Sequence, residues 1–472
     1  MSAYERALNT IFGRVNFERQ PRFDFSGATL GLERMHALLD RLGNPHRQYH
    51  IVHVAGSKGK GSVCAFSEAV LRAAGYRVGL YTSPHLHTFR ERIRVQGGLI
   101  SRAALVDLVE TCQPALEATP GVTTFELITA LAFTYFAQQH VEWAVVEVGL
   151  GGRLDATNVV LPDVSVISSL SYEHTSILGS TLGQIAREKA GIIKPGVPVV
   201  SAPQPAEARD VIRAVSQAQA APLTLLGCDW VWQVGQQNWN HQCFDLRAVA
   251  PAALPTSELR GLEIGLLGEH QVVNAAVSAV TMQTLLAQGV DIPPSALRDG
   301  IAHAWWPARF EFLARPNHGS GPTPTIIADG AHNAESAGHL AHLLATQHDR
   351  QPNGQLTLLI GTSADKDVEG ILRALLPVCN QLICTQAHHP RVLAAAELAA
   401  KARVLAPEMP ISVVPGVGAA LVHALASAQP SDIVCLTGSL FVAAEGREAW
   451  AAQHPEHFRP DDWVFEAEPL DL

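Results

Sequence analysis

The stretch HVAGSKGKGS, residues 53–62, follows an apolar run and gathers three glycines around two lysines. An ordinary P-loop, GxxxxGK[ST], needs glycine at position 54 and a hydroxyl at position 61, where Val54 and Gly61 stand. Its setting nevertheless points to a nucleotide loop. A turn that leaves a parallel strand and opens a helix aims several backbone N–H groups and the helix dipole at one point. Gly56, Gly59 and Gly61 allow a phosphate to approach that backbone, Lys60 supplies charge, and Ser62 offers a hydroxyl to a magnesium ion. The alternative is a plain glycine-rich strand-to-helix turn, against which the glycine-flanked lysine weighs.

On either side of the loop the chain alternates short apolar runs with helical patterns. YHIVHVAG, YRVGLYTS, EWAVVEVG, DVSVISSL and VPVVSAP are apolar on both faces and end in Gly, Ser or Pro, as strands of a helix-covered parallel sheet do. KGSVCAFSEAVLRAAG and TFELITALAFTYFAQQH keep helical spacing. Residues 222–267 are more polar, bear Trp and Gln, and read as an antiparallel addition; GEHQVVNAAVSAVTMQTLLAQG is then a helix. A second alternating series, TIIADGA, LTLLIGTS, QLICTQA, ISVVPG and DIVCLTGS, starts near residue 325. The joint is WWPARFEFLARPNHGSGPTP, where Pro and Gly accumulate. The expected fold is α/β in two domains: residues 1–306, a mostly parallel P-loop sheet with helices on both faces, and residues 307–472, a smaller Rossmann-like domain, with a cleft between them.

Composition narrows the function. A length of 472 residues, 47% hydrophobic and 17% charged, is that of a globular protein large enough for two cores. A net charge of −10 argues against a nucleic-acid or membrane-surface binder. The seven cysteines are scattered without a CxxC, which fits free thiols in a reducing compartment. The N-terminus lacks a signal-peptide core, and LITALAFTYFA is shorter than the roughly 20 residues of a membrane span. The expectation is a cytoplasmic protein with no membrane or nucleic-acid partner.

Four further features carry chemistry. Glu147, an acid among Val and Trp at a strand end, is costly unless it is ion-paired or binds metal. GLGG beside it is no dinucleotide fingerprint, because Leu154 occupies the last glycine position. His174 and Lys189, in SYEHTSILGSTLGQIAREKAGIIK, follow another strand and share the carboxyl edge where open α/β sheets collect ligands. Arg90, Arg92 and Arg94 recur at period two, giving one cationic face if extended: either a charged edge strand or an anion site. Asp329 and His332, in IADGAHN, repeat the buried-acid pattern in the second series.

Together these blocks resemble folylpolyglutamate synthase and the bifunctional dihydrofolate synthase/folylpolyglutamate synthase, within the Mur ligase superfamily. The resemblance runs over essentially the whole chain, through HVAGSKGKGS, YTSPHL, FELITALAF, EVGLGGRLDATN, EHTSILGSTLGQIAREKAGIIK, GEHQVVNAAVSA, WPARFE, DGAHN and DKD. It implies ATP-dependent amide formation: L-glutamate joined to dihydropteroate or a reduced folate through an acyl phosphate. It further implies an ATP cradle at Ser57, Lys58, Gly59, Lys60, Gly61 and Ser62, with Asn274, Arg309 and Asp329 also on the nucleotide. Magnesium, as two ions, would be held by Ser62, Ser83, Glu147, His174 and a carbamylated Lys189. Lys60, Lys189 and His332 take catalytic parts, and pteroate recognition falls on Thr123, Thr124, Phe125, Glu126, Leu154, Asp155 and Ala156. A monomer is implied. Two letters depart from the family pattern: Lys58 stands where Asn is usual, and Glu173 where Asp usually precedes the histidine. The competing functions are a Mur-type ligase for a peptidoglycan precursor or amino-acid polymer, a P-loop kinase, and a nucleotide-gated binding module. SPHL and DGAHN weigh against the first, the loop spacing against the second, and Glu147, His174 and Lys189 together against the third.

Overall fold

The computed structural model describes residues 1–15, 31–249, 254–315, 323–348, 354–459 and 462–463. The apolar runs flanking the loop form one eight-stranded sheet. Its order is Gly98–Leu99, Ile93–Val95, Val78–Tyr81, Trp143–Glu147, His50–Ala55, Val164–Ile167, Val199–Ser201, Leu223–Leu225. The last six run parallel, and the first two join antiparallel. The central strands are continuously apolar because helices cover both faces. On one face lie Val63 and Phe66 of the helix Lys60–Ala73 and Val272 and Val280 of Glu269–Ala287. On the other lie Leu105 and Leu108 of Arg102–Glu117 and Leu127, Leu131 and Phe133 of Thr124–Gln138.

The antiparallel addition is a three-stranded sheet, Trp230–Gln237, Gln242–Ala248 and Glu258–Ile264. It buries Trp230, Phe244, Leu246 and Leu262 against the same core as the Glu269–Ala287 helix. Leu223–Leu225 lies outside it, since its register pairs with Val199–Ser201 in the large sheet. The third sheet has the order Glu311–Ala314, Thr325–Ala328, Ile433–Thr437, Leu356–Ile360, Gln381–Cys384, Ile411–Val413. It is parallel apart from its first pair. Glu311–Ala314, read from sequence as joint, is therefore an edge strand; residues 316–322 of that joint lie outside the described residues. No helix among the described residues is long and apolar enough to cross a membrane.

The arginine triplet is extended only at Arg94, on the strand Ile93–Val95, and Arg92 lines the cleft between the two large sheets. Phe89–Arg92 is a 3-10 helix, so Arg90, Arg92 and Arg94 do not share an extended face, and none exceeds 6% exposure. The carboxylate of Glu91 accepts the N–H groups of Leu86, His87 and Thr88, which curls the segment inward.

That curl presses His87 into the third sheet's side of the molecule. Arg447, on the helix Leu440–Ala451, is 0% exposed and ion-paired to Glu311 at 2.8 Å and Asp462 at 2.6 Å. It donates to Nε2 of His87, whose Nδ1–H therefore donates to Glu448 Oε1 at 2.9 Å. Burial, and then the Arg447 charge, keep His87 well below the usual imidazole range, so it is neutral. Its ring stacks on Trp463 at 4.1 Å. Burial, reinforced by Glu445 and Glu91 against Arg447, pushes the Glu448 carboxyl up to about 8. A carboxyl raised on folding contributes full stability below its unfolded value near 4.5, which is lost as pH rises through about 8. Glu448→Gln should therefore gain stability relative to the parent as pH goes from about 5 to about 9. Urea midpoints across that range check this; a difference independent of pH would refute it.

Candidate active site

The two large sheets face each other across a cleft of about 2140 Å³. The loop of residues 56–62 forms one wall. Gly59, at φ 85°, caps the helix Lys60–Ala73, and a Cβ there would lie 2.2 Å from Oδ1 of Asn274. Asn274 has little room to retreat, because it is buried and its Nδ2 donates to Gln271 Oε1 at 3.1 Å. Gly56 and Gly61 are also confined, by the hydroxyl of Ser168 and, less tightly, by the indole of Trp306. Gly59→Ala combines left-handed strain of about 1–3 kcal/mol with this clash. The expected result is a loss of ATP affinity on the order of tenfold, read by calorimetric titration with a non-hydrolysable ATP analogue. Ser57 and Lys58 donate their N–H groups to Ser169 O at 2.9 and 3.0 Å, pinning the loop to the next strand's end. Lys60 Nζ folds back on Gly56 O at 3.1 Å, and Ser62 sits buried in the first helical turn.

Glu147 ends its strand on the same edge, buried, with Oε2 accepting the Ser83 N–H at 3.0 Å. Burial raises its carboxyl; Lys60, that hydrogen bond, Arg309 and Arg92 oppose the rise. Lys189 is only 2% exposed and donates to Gly56 O and to Glu173 Oε1, both at 2.8 Å. Burial brings its ammonium down to about 8 against the pull of Glu173. Glu173, which the sequence marked only as a departure, is thus the direct partner of Lys189. His174 is exposed at the cleft mouth, in a left-handed conformation at φ 47°.

The opposite wall comes from the third sheet. Asp329 ends the strand Thr325–Ala328 and accepts the N–H groups of Phe310 and Ala331, each at 2.8 Å. Arg309 lies between Ala308 and Phe310, both left-handed at φ 54° and 48°. Each such non-glycine residue costs roughly 1–2 kcal/mol, offset here by Gly330 N–H donating to Ala308 O at 2.9 Å and by the Phe310–Asp329 bond. Burial lowers the Arg309 guanidinium, and Asp329 and Glu147 support its charge, so it lies electrostatically between the two walls. His332 accepts no proton readily: burial, then Lys58, hold it at about 4. Its Nδ1 donates to Gly330 O at 2.8 Å, leaving the Nε2 lone pair toward Lys58 Nζ at 3.5 Å.

The seven residues expected at the pteroate end also line the cleft, but several are occupied structurally. Thr123 and Glu126 form a reciprocal capping box, and Glu126 is ion-paired to Arg34 at 3.1 Å. The Thr124 hydroxyl donates to Ile11 O at 3.1 Å. Asp155 accepts from Leu150 N, Thr157 N and Thr157 Oγ1. Phe125 packs its ring on Gly149, and with Leu154 and Ala156 supplies apolar surface.

The donor set suits magnesium. Glu147, Ser62 and Ser83 offer hard oxygens, and among the described residues no three His, Cys, Asp or Glu ligand atoms gather in the cleft. Mg²⁺ binds through one or two carboxylates, retained waters and substrate phosphates rather than an all-protein cage.

Residues 54–282 match the Mur ligase middle domain, and residues 308–440 match the Mur ligase glutamate ligase domain. These define the class: a Mur-type ligase with its cleft between the two matched segments. The chain is 36% identical over 406 residues to the dihydrofolate synthase/folylpolyglutamate synthase of Bacillus subtilis, covering 84% of this chain and 88% of that protein. It superposes on the folylpolyglutamate synthase of Thermotoga maritima with a TM-score of 0.78 at 34% identity, over 94% of this chain and 96% of the other. Escherichia coli FolC, solved in complex with DHPP and ADP, gives a TM-score of 0.80 at 30% identity, over 96% and 99% of the two chains. The chain belongs to the dihydrofolate synthase/folylpolyglutamate synthase family of Mur ligases.

Proposed function

We propose that this chain is an ATP-dependent ligase joining L-glutamate to a folate-type carboxylate, dihydropteroate, a reduced folyl-polyglutamate or both. The observation that carries this is the cleft itself, with a phosphate loop on one wall and Arg309, Asp329 and His332 on the other, in a chain of this family. The folate carboxylate attacks the γ-phosphorus of ATP, giving an acyl phosphate and ADP. The glutamate α-amine then attacks the acyl carbon, and phosphate leaves.

In this mechanism the residues have distinct work. The backbone N–H groups of residues 59–62, at the start of the helix, and Lys60 cradle the triphosphate and neutralise charge on the transferring phosphoryl group. Asn274, beside Gly59 on the loop's own wall, and Arg309 and Asp329 from across the cleft orient the nucleotide, so closure of the walls excludes water from the acyl phosphate. Mg²⁺, when bound by Ser62, Ser83, Glu147, His174 and Lys189, would screen repulsion between carboxylate and triphosphate. Burial brings the Lys189 amine down to about 8, which supplies the neutral nucleophile that carbamylation needs, and the carbamate would replace the ion pair with Glu173. Mass spectrometry of the intact protein kept under CO₂ tests this by the added mass of one CO₂. Phe125, Leu154 and Ala156 supply an apolar floor for a pterin ring. All seven cysteines are free thiols, which fits a reducing cytoplasm. A division near residue 306 and a monomeric state complete the assignment.

The test is ADP release with dihydropteroate or a reduced folate, each with and without glutamate. Release requiring both partners is expected. ADP formed with neither acceptor, or only with a peptidoglycan precursor, would sink the assignment.

A further inference from the structure

Lys58 and Glu173 meet in space. Lys58 Nζ lies 3.9 Å from Glu173 Oε2 on its own wall and 3.5 Å from His332 Nε2 on the opposite wall. Glu173 turns its other oxygen to Lys189 at 2.8 Å, so one carboxylate serves two lysines. The hydrogen bond from His332 Nδ1 to Gly330 O leaves Nε2 as an acceptor, and an ammonium is the group that suits it. The loop's two lysines thus point to different tasks. Lys60 curls back over the phosphate cradle at Gly56 O, whereas Lys58, its backbone tied to Ser169 O, extends its side chain to the seam. Burial lowers the Lys58 ammonium, against the pull of Glu173 and then Glu335.

We propose that Lys58 is a positioning residue that ties the phosphate loop to the carboxyl-terminal wall through His332, holding the cleft closed over the acyl phosphate until the amine arrives. This rests on the ligase function above. A contact to a neutral imidazole backed by a partly buried ion pair sets a change of about three- to tenfold, not an all-or-none effect.

The experiment compares the parent with Lys58→Met and Lys58→Arg in two arms. In the first, hydrogen exchange of residues 330–336 is followed with a non-hydrolysable ATP analogue. The parent and Lys58→Arg should gain protection, and Lys58→Met should gain about three- to tenfold less. In the second, ADP and amide are counted together with saturating folate and glutamate. Lys58→Met should lower kcat for amide about three- to tenfold, move KM for ATP less, and release more ADP than amide. Equal protection in the parent and Lys58→Met overturns the proposal, as does an unchanged ADP-to-amide ratio. If the parent itself makes no amide, the ligase assignment falls, and the exchange arm still decides the role of Lys58.

Discussion

Lys60→Ala should abolish turnover while leaving the fold in place. Its ammonium makes one hydrogen bond among the described residues, to Gly56 O, and the residue opens a helix whose first position accepts alanine well. Melting curves should therefore overlay. The loss lies in the transition state, where charge spreads over the transferring phosphoryl oxygens and the Lys60 ammonium is the loop cation assigned to them. Removing one such preorganised donor costs at least about 10²–10³ in kcat. Lys60 is also the leading charge opposing the rise that burial imposes on Glu147, so its loss leaves that carboxylate less ready to bind a cation. Steady-state ADP release at saturating substrates checks this, and near-parent kcat would remove Lys60 from the mechanism.

Arg447→Ala should be the most damaging substitution outside the cleft. The guanidinium binds Glu311, Asp462 and His87, which belong to an edge strand, the chain's last described turn and the curled segment after Ser83. Without it, the part-buried Glu311 and the buried Asp462 lose their cation and the His87 Nε2 lone pair loses a donor. Breaking a buried ion pair from one side costs about 3–5 kcal/mol. Glu311 Oε2 also accepts the Ala308 N–H at 2.8 Å, so the disturbance reaches the strained backbone that carries Arg309. Arg447→Lys keeps a charge but not the planar fork and should fall between. Denaturant unfolding reads the stability loss, and a change below about 1 kcal/mol would show that the network is not structural.

Much of this was legible from short-range chemistry. Strands such as Trp143–Glu147 and Leu356–Ile360 are buried on both faces, and continuous apolar runs announce that directly. The loop was legible because left-handed Gly59 and confined Gly56 and Gly61 leave glycine as the fitting residue. What stayed hidden depends on long-range partners. The arginine triplet looked extended because period two is a local signal, whereas the cap that curls it is made by Glu91. Glu311–Ala314 looked like linker because its partner strand follows a Pro- and Gly-rich stretch.

The sequence by itself determined two α/β series, a glycine-rich loop between strand and helix, and acids at the carboxyl ends of strands. Those follow from hydrophobic period, glycine conformation and the cost of burying charge, which are properties of neighbouring residues. Only the tertiary structure decided which charges face which. Residue 58, the pair 173 and 189, and residue 332 are far apart in the chain, and only the tertiary fold brings them within 4 Å contacts. Lys58, unexplained as a letter in the loop, acquires a task because the second wall presents an imidazole lone pair to it.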